Sequence, residues 1–104
     1  MLGFRRFNMT ITNKNDANKA AVLERLSAVR SALENEPQTP PVARALQQCD
    51  RLEASISQFH AEGLRFAAFT LLRMVFAHGT AFTQPVHMAT QALKSALETA
   101  GYPH

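Results

Sequence analysis

The stretch that most constrains this fold runs from Leu64 to His78 and is bounded by Gly63 and Gly79. It has the length and residue types of an α-helix, and apolar residues fall on nearly every side of that helix. A helix that is apolar all round has to be covered on more than one side. We therefore expect the remaining helices of the chain to pack around it and to make it the most buried element.

Length and composition indicate one globular domain. The 104 residues suffice for a single core, and the apolar fraction of 46% is typical of folded proteins. The one cysteine, Cys49, excludes an internal disulfide, which fits a reducing compartment and leads us to expect a cytoplasmic protein. The apolar stretch contains two arginines and is shorter than the roughly 20 residues of a membrane span, so no such span is predicted.

The net charge of +3 belongs to the N-terminus. Residues 1–14 hold three basic residues and no acidic one, whereas the rest of the chain holds eight of each. We expect residues 1–14 to be a flexible arm or, if ordered, to include a short strand around Phe7–Thr12, and residues 15–104 to form the domain. No basic stripe follows any one helix, so nucleic acid is not the favoured partner.

Three other segments each carry a single apolar stripe with helical period. The stripes are Val22, Leu26, Val29 and Leu33 in the first segment, Val42, Leu46, Cys49, Leu52, Ile56 and Phe59 in the second, and Val86, Ala89, Leu93, Leu97 and Ala100 in the last. The stiff link Pro37–Pro41 favours an antiparallel hairpin between the first two, with Thr39 as an N-cap; Thr83 is the expected N-cap of the last. We expect Gly63 to separate the second and third helices, with one kinked helix over 40–78 as the alternative. The expected helices are 16–35, 40–61, 64–78 and 84–100. The prediction is an all-α fold, a four-helix up-down bundle with a flexible N-terminal arm.

The outer arc of the third helix carries aromatic residues where solvent-facing ones are expected. Aromatic residues and arginine are enriched in protein interfaces. The simplest partner is a second copy of the chain related by a two-fold axis, so we predict a homodimer. The predicted interface comprises Phe66, Phe69, Phe76, Arg65 and Arg73.

The histidines and the cysteine give little indication of catalysis or of metal binding. His60 and His78 fall at predicted helix C-termini, where an imidazole can bond the last carbonyls, and His87 lies on the polar side of the last helix. No His-x-x-x-His or Glu-x-x-His spacing occurs, so neither a metal nor a cofactor is predicted. Cys49 lies on a core stripe, where it acts as a small hydrophobe.

Arg73 and His78, in the spacing Arg-x-x-x-x-His, resemble the motif of HEPN-type ribonucleases. The resemblance implies a dimeric helical bundle in which the arginine and the histidine line a cleft at the dimer interface. It covers two residues, and Met74 stands where that family usually has a polar residue. We favour the alternative, in which Arg73 belongs to an interface and His78 ends a helix.

Since no catalytic set converges, we do not expect an enzyme. The leading hypothesis is a small non-catalytic module for protein–protein interaction, a regulator or adaptor that acts as a homodimer. The alternative is a nucleic-acid-directed protein that uses Arg73 and His78. The sequence leaves open a third hypothesis, a small-ligand pocket inside the bundle.

Overall fold

The computed structural model describes the backbone of residues 2–58 and 60–102, and the side chains of residues 17–58, 60–78 and 80–102. In this part the chain forms helices α1 (Leu2–Glu34), α2 (Pro40–Ser57), α3 (Ala61–Ala77) and α4 (Gln84–Ala100), with a short 3-10 helix at Gly79–Ala81. Helix α1 packs mainly on α4 and α2 mainly on α3, while α1–α2 and α3–α4 contacts close the bundle. The predicted four-helix bundle is confirmed. None of the described helices combines the length and hydrophobicity that crossing a membrane requires.

The predicted apolar stripes form the core. The stripe of α1 is buried throughout, and most of the stripes of α2 and α4 are buried with it. Leu46 of the predicted stripe is only half-buried, and Phe59 lies outside the described residues. Gln48 lies off the apolar stripe of α2, where the sequence predicts a solvent-facing side chain, but it is buried because α2 packs against both α1 and α3. Its Oε1 accepts no hydrogen bond from the described residues.

Helix α1 begins much earlier than the sequence predicts. The expected start near Asp16 is wrong, because the helical backbone extends back to Leu2 and includes the segment considered for a strand. An N-cap residue favours a helix start without requiring one, and no proline interrupts the preceding residues. The side chains of residues 1–16 lie outside the described residues, so the flexibility of the arm stays a prediction.

Helices α2 and α3 are separate, as expected, but the boundary differs from the predicted one. The break lies at residues 58–60, and Gly63 lies in the first turn of α3. His60 is the N-cap of α3, and its Nδ1 accepts a hydrogen bond of 3.1 Å from the Gly63 N–H. The predicted place of His60 at the end of the second helix is therefore wrong. Glycine suits this turn, because a Cβ at position 63 would lie 2.6 Å from that Nδ1.

The link between α1 and α2 also holds the start of α4. The Glu36 carboxylate accepts hydrogen bonds from the Thr83 N–H, at 3.1 Å, and from the Thr83 hydroxyl. Thr39 and Thr83 occupy the predicted N-cap positions of α2 and α4, but neither side chain bonds its own helix. The first turn of α4 is thus connected to α1 through a carboxylate from a distant part of the sequence.

Helix α3 is not the enclosed element that its composition predicts. One face is buried against the bundle, while the opposite face carries large apolar side chains that are exposed. The expectation that α3 is covered on more than one side is wrong, because the other helices of the described chain cover one side of it. Helix α3 nevertheless buries six residues, as many as α2 and more than α4. Its exposed side is the main candidate for a functional surface.

Candidate interaction site on helix α3

The exposed side of α3 is a second stripe on the same helix. Phe66, Phe69, Arg73 and Phe76 recur at spacings of three and four, which gives a stripe about 15 Å long. The three phenylalanines are 62%, 50% and 41% exposed, and Met88 is the one other large apolar side chain with comparable exposure among those described. We call the set Phe66, Phe69, Phe76, Arg65 and Arg73 the aromatic face. Its exposure agrees with the sequence, and its role as an interface stays a prediction.

Phe69 lies at the centre of this surface, where three depressions meet. The largest, of about 680 Å³, lies toward the C-terminal half of α3. A second, of about 370 Å³, lies beside Phe66 and includes Glu62, and a third, of about 420 Å³, lies beside Phe76. The face therefore combines projecting rings with hollows next to them.

Neither arginine of the aromatic face forms an ion pair with a described residue. Among the described residues, the ion pairs are Arg30 with Asp50 and Glu53, and Lys94 with Glu98. The guanidinium carbon of Arg73 lies 5.9 Å from the centroid of the Phe69 ring, which is within the range of a cation–π interaction. The face thus presents positive charge together with aromatic surface.

Phe76 is held by a residue of α4. Its ring stacks on the imidazole of His87, with 6.4 Å between the ring centroids and an angle of 26° between the planes. The sequence places His87 on the polar, solvated side of α4, but the structure half-buries it against this ring. The contact fixes one end of the aromatic face and explains why Phe76 is the least exposed of the three phenylalanines.

Arg73 and His78 lie in the same depression, the largest one, which we call the groove. His78 is the C-cap of α3, at the helix end that the sequence predicts. The groove also contains Arg44 of α2, a residue that sequence reasoning missed. Arg44 and Arg73 are 29 positions apart, and the antiparallel packing of α2 on α3 brings them together. An early arginine on α2 beside a late one on α3 is the signal that could have revealed this pair.

The remaining candidate residues give no catalytic arrangement within the described part of the chain. Burial raises the pKa of the Cys49 thiol to about 12, so this thiol stays protonated and is no nucleophile. Nowhere in the described residues do three side chains of His, Cys, Asp or Glu converge as metal ligands would.

Comparison of the chain with protein-family models, with curated proteins and with solved structures gives no match. Fold and surface together define a small four-helix bundle with an exposed aromatic stripe.

Proposed function

We propose that this protein is a non-catalytic helical interaction module, a regulator or adaptor, that acts as a homodimer through the aromatic face. The supporting observation is the exposure of Phe66, Phe69 and Phe76 along one side of α3. About half of each ring is exposed, so the three phenylalanines together offer on the order of 200–400 Å² of apolar surface for association. The arginines beside them are typical of a recognition surface.

A second copy of the chain suits this face better than a flat apolar partner. A two-fold interface requires one surface to supply both the projections and the hollows that receive them. The aromatic face has both, since the depressions adjoin Phe69. The same copy also offers opposite charge, because Glu62 lines the depression beside Phe66.

The sequence of α3 favours one register for such a dimer. When two antiparallel α3 helices cross midway between Phe66 and Phe69, each Phe66 lies opposite the partner's Phe69. The same register places each Arg73 opposite the partner's Glu62, because positions 62 and 73 are centred on the same point of the helix as positions 66 and 69. The aromatic contacts and the charge contacts thus agree on one alignment. A crossing centred on Phe69 would instead oppose Arg65 and Arg73, two like charges.

The test is the molar mass in solution, measured by light scattering on a sizing column. The wild-type chain should have twice the 11.5 kDa of the monomer. Phe69→Glu should give a folded monomer, because it places a charge at the centre of the apolar contact. Met88→Glu is the matched control, since Met88 is 64% exposed but lies on α4, and this variant should stay dimeric. A wild-type monomer, or a dimer that survives Phe69→Glu, contradicts the proposal.

A charge exchange tests the register. Arg73→Glu should weaken the dimer, because two carboxylates then face each other. Adding Glu62→Arg to that variant restores opposite charges and should recover most of the lost affinity. A double variant that remains as weak as Arg73→Glu would contradict the proposed alignment but leave the aromatic contact standing.

A second candidate, a nucleic-acid-directed protein, is favoured by the presence of Arg73 and His78 in one groove together with Arg44. Under this hypothesis the wild-type chain binds or cleaves a short single-stranded RNA, and a variant with both Arg73→Ala and His78→Ala does neither. A wild-type dimer without any effect on RNA would remove this candidate.

A further inference from the structure

The groove concentrates positive charge without any acid to balance it. Arg44 from α2 and Arg73 from α3 both line it, and no aspartate or glutamate among the described residues does. Neither arginine forms an ion pair with a described residue. The two guanidinium groups come from different helices, so both can approach one anionic group between them, and guanidinium geometry suits carboxylate and phosphate oxygens.

The walls of the same groove are apolar and well supported. Phe69 and Met74 of α3 form one side, and Phe82, only 6% exposed, contributes from the segment that follows the 3-10 helix. The neighbouring Thr83 is bonded to Glu36, which holds this segment in place. The volume of about 680 Å³ lies within the range of roughly 300–1,000 Å³ that small-molecule sites occupy.

We infer that the groove binds a small organic anion, whose carboxylate, sulfonate or phosphate group lies between Arg44 and Arg73. The apolar body of this ligand packs against Phe69, Met74 and Phe82. A single anionic group fits better than a nucleic-acid strand, because basic and acidic residues are equal in number beyond residue 14.

This site does not rest on the proposed dimer. Arg44 and Phe82 lie outside the aromatic face, so the ligand has contacts that the dimer does not use. Phe69 and Arg73 belong to both sites, and the Arg73 guanidinium carries five N–H donors, which is enough for an anion and for the partner's Glu62 together. Arg44→Gln should therefore change the binding of the anion and leave the molar mass at that of the dimer.

The test uses 8-anilinonaphthalene-1-sulfonate, which joins a sulfonate to an aromatic body and fluoresces when its body leaves water. The wild-type chain should bind it, and Arg44→Gln should weaken binding about tenfold, as loss of a charged hydrogen bond does. Arg51→Gln is the matched control, since Arg51 is an exposed arginine of α2 outside both the groove and the aromatic face, and it should change binding less than about twofold. N-phenyl-1-naphthylamine, the same body without the sulfonate, should bind equally to the wild type and to Arg44→Gln.

Two further measurements, binding of the sulfonate to Phe66→Glu and displacement of the probe by RNA, distinguish an anion site in the groove from the alternatives. Phe66→Glu should make the protein monomeric yet leave binding of the sulfonate intact, because Phe66 does not line the groove. Equal losses in Arg44→Gln and Arg51→Gln, or equal affinity for the neutral and the anionic probe, would overturn the inference. Displacement of the probe by short RNA with strong salt dependence would also overturn it, in favour of nucleic acid.

Discussion

Helices α3 and α4 are alike toward the core and unlike toward the outside. Each has 17 residues, and each places a fully buried leucine in the core, Leu71 in α3 and Leu93 in α4. The outer side of α4 is mostly polar and carries the Lys94–Glu98 ion pair, whereas the outer side of α3 carries three phenylalanines. Core packing therefore explains the inner faces of both helices, but it cannot explain the outer face of α3. That face is the one on which we propose that a second copy of the chain packs.

The two helices also begin in different ways. Helix α3 is capped from within its own segment by the imidazole of His60. Helix α4 is held by Glu36, which is 47 residues before Thr83. The start of α4 thus depends on the tertiary fold, whereas the start of α3 is a local structure that the adjacent sequence can form by itself.

The largest expected effect comes from the shared inner faces. Leu71→Ala and Leu93→Ala should each lower the free energy of unfolding by about 2–5 kcal/mol, because each leaves a cavity in the core. Phe69→Ala should change the stability of the monomer by less than about 1 kcal/mol, since its ring is half exposed. Urea unfolding at several protein concentrations separates folding from association. A concentration-independent loss for Phe69→Ala as large as that for Leu71→Ala would make the aromatic face part of the monomer core.

A smaller effect should follow from raising the pH, and it probes the core beneath both helices. Burial raises the pKa of Cys49 to about 12, while an unfolded thiol titrates near pH 8.5. Above about pH 8.5 the unfolded chain releases a proton that the folded chain keeps, so stability falls with pH. The loss approaches about 1.4 kcal/mol per pH unit, and below pH 8 it is absent. Urea unfolding of the wild type and of Cys49→Ala from pH 7 to 10 should show the steeper decline in the wild type. Parallel slopes would mean that the thiol is more solvated than its burial indicates.

The smallest effect concerns the two helix starts. Glu36→Ala should cost about 1–2 kcal/mol, because it removes two charge-assisted hydrogen bonds to Thr83. His60→Ala should cost about 0.5–1 kcal/mol through the loss of one N-cap bond. Native-state hydrogen exchange locates each loss: Glu36→Ala should speed exchange in the first turn of α4, and His60→Ala in that of α3. Equal acceleration in both turns for either variant would show that the two starts are not independent.

The sequence alone determined the number of helices, their buried stripes and the surplus of apolar residues on α3, but not where each helix begins. A helical stripe repeats every three or four residues, so its signal is local, and Val22, Leu26 and Leu33 are buried as their spacing predicts. The excess of apolar residues on α3 can also be read from the local sequence. Helix α3 carries enough apolar residues to fill one buried face, and it carries three phenylalanines besides. The residue pattern by itself therefore places Phe66 and Phe69 outside that buried face.

Tertiary structure alone decided which distant residues meet. The groove pairs Arg44 with Arg73, and the Glu36 carboxylate bonds Thr83, because helices far apart in the sequence pack side by side. The burial of Gln48 has the same origin, since two neighbouring helices cover its side of α2. Periodicity tells which side of a helix is apolar. It contains no information on how a helix is rotated and shifted against its neighbours, which side-chain packing across the whole bundle determines.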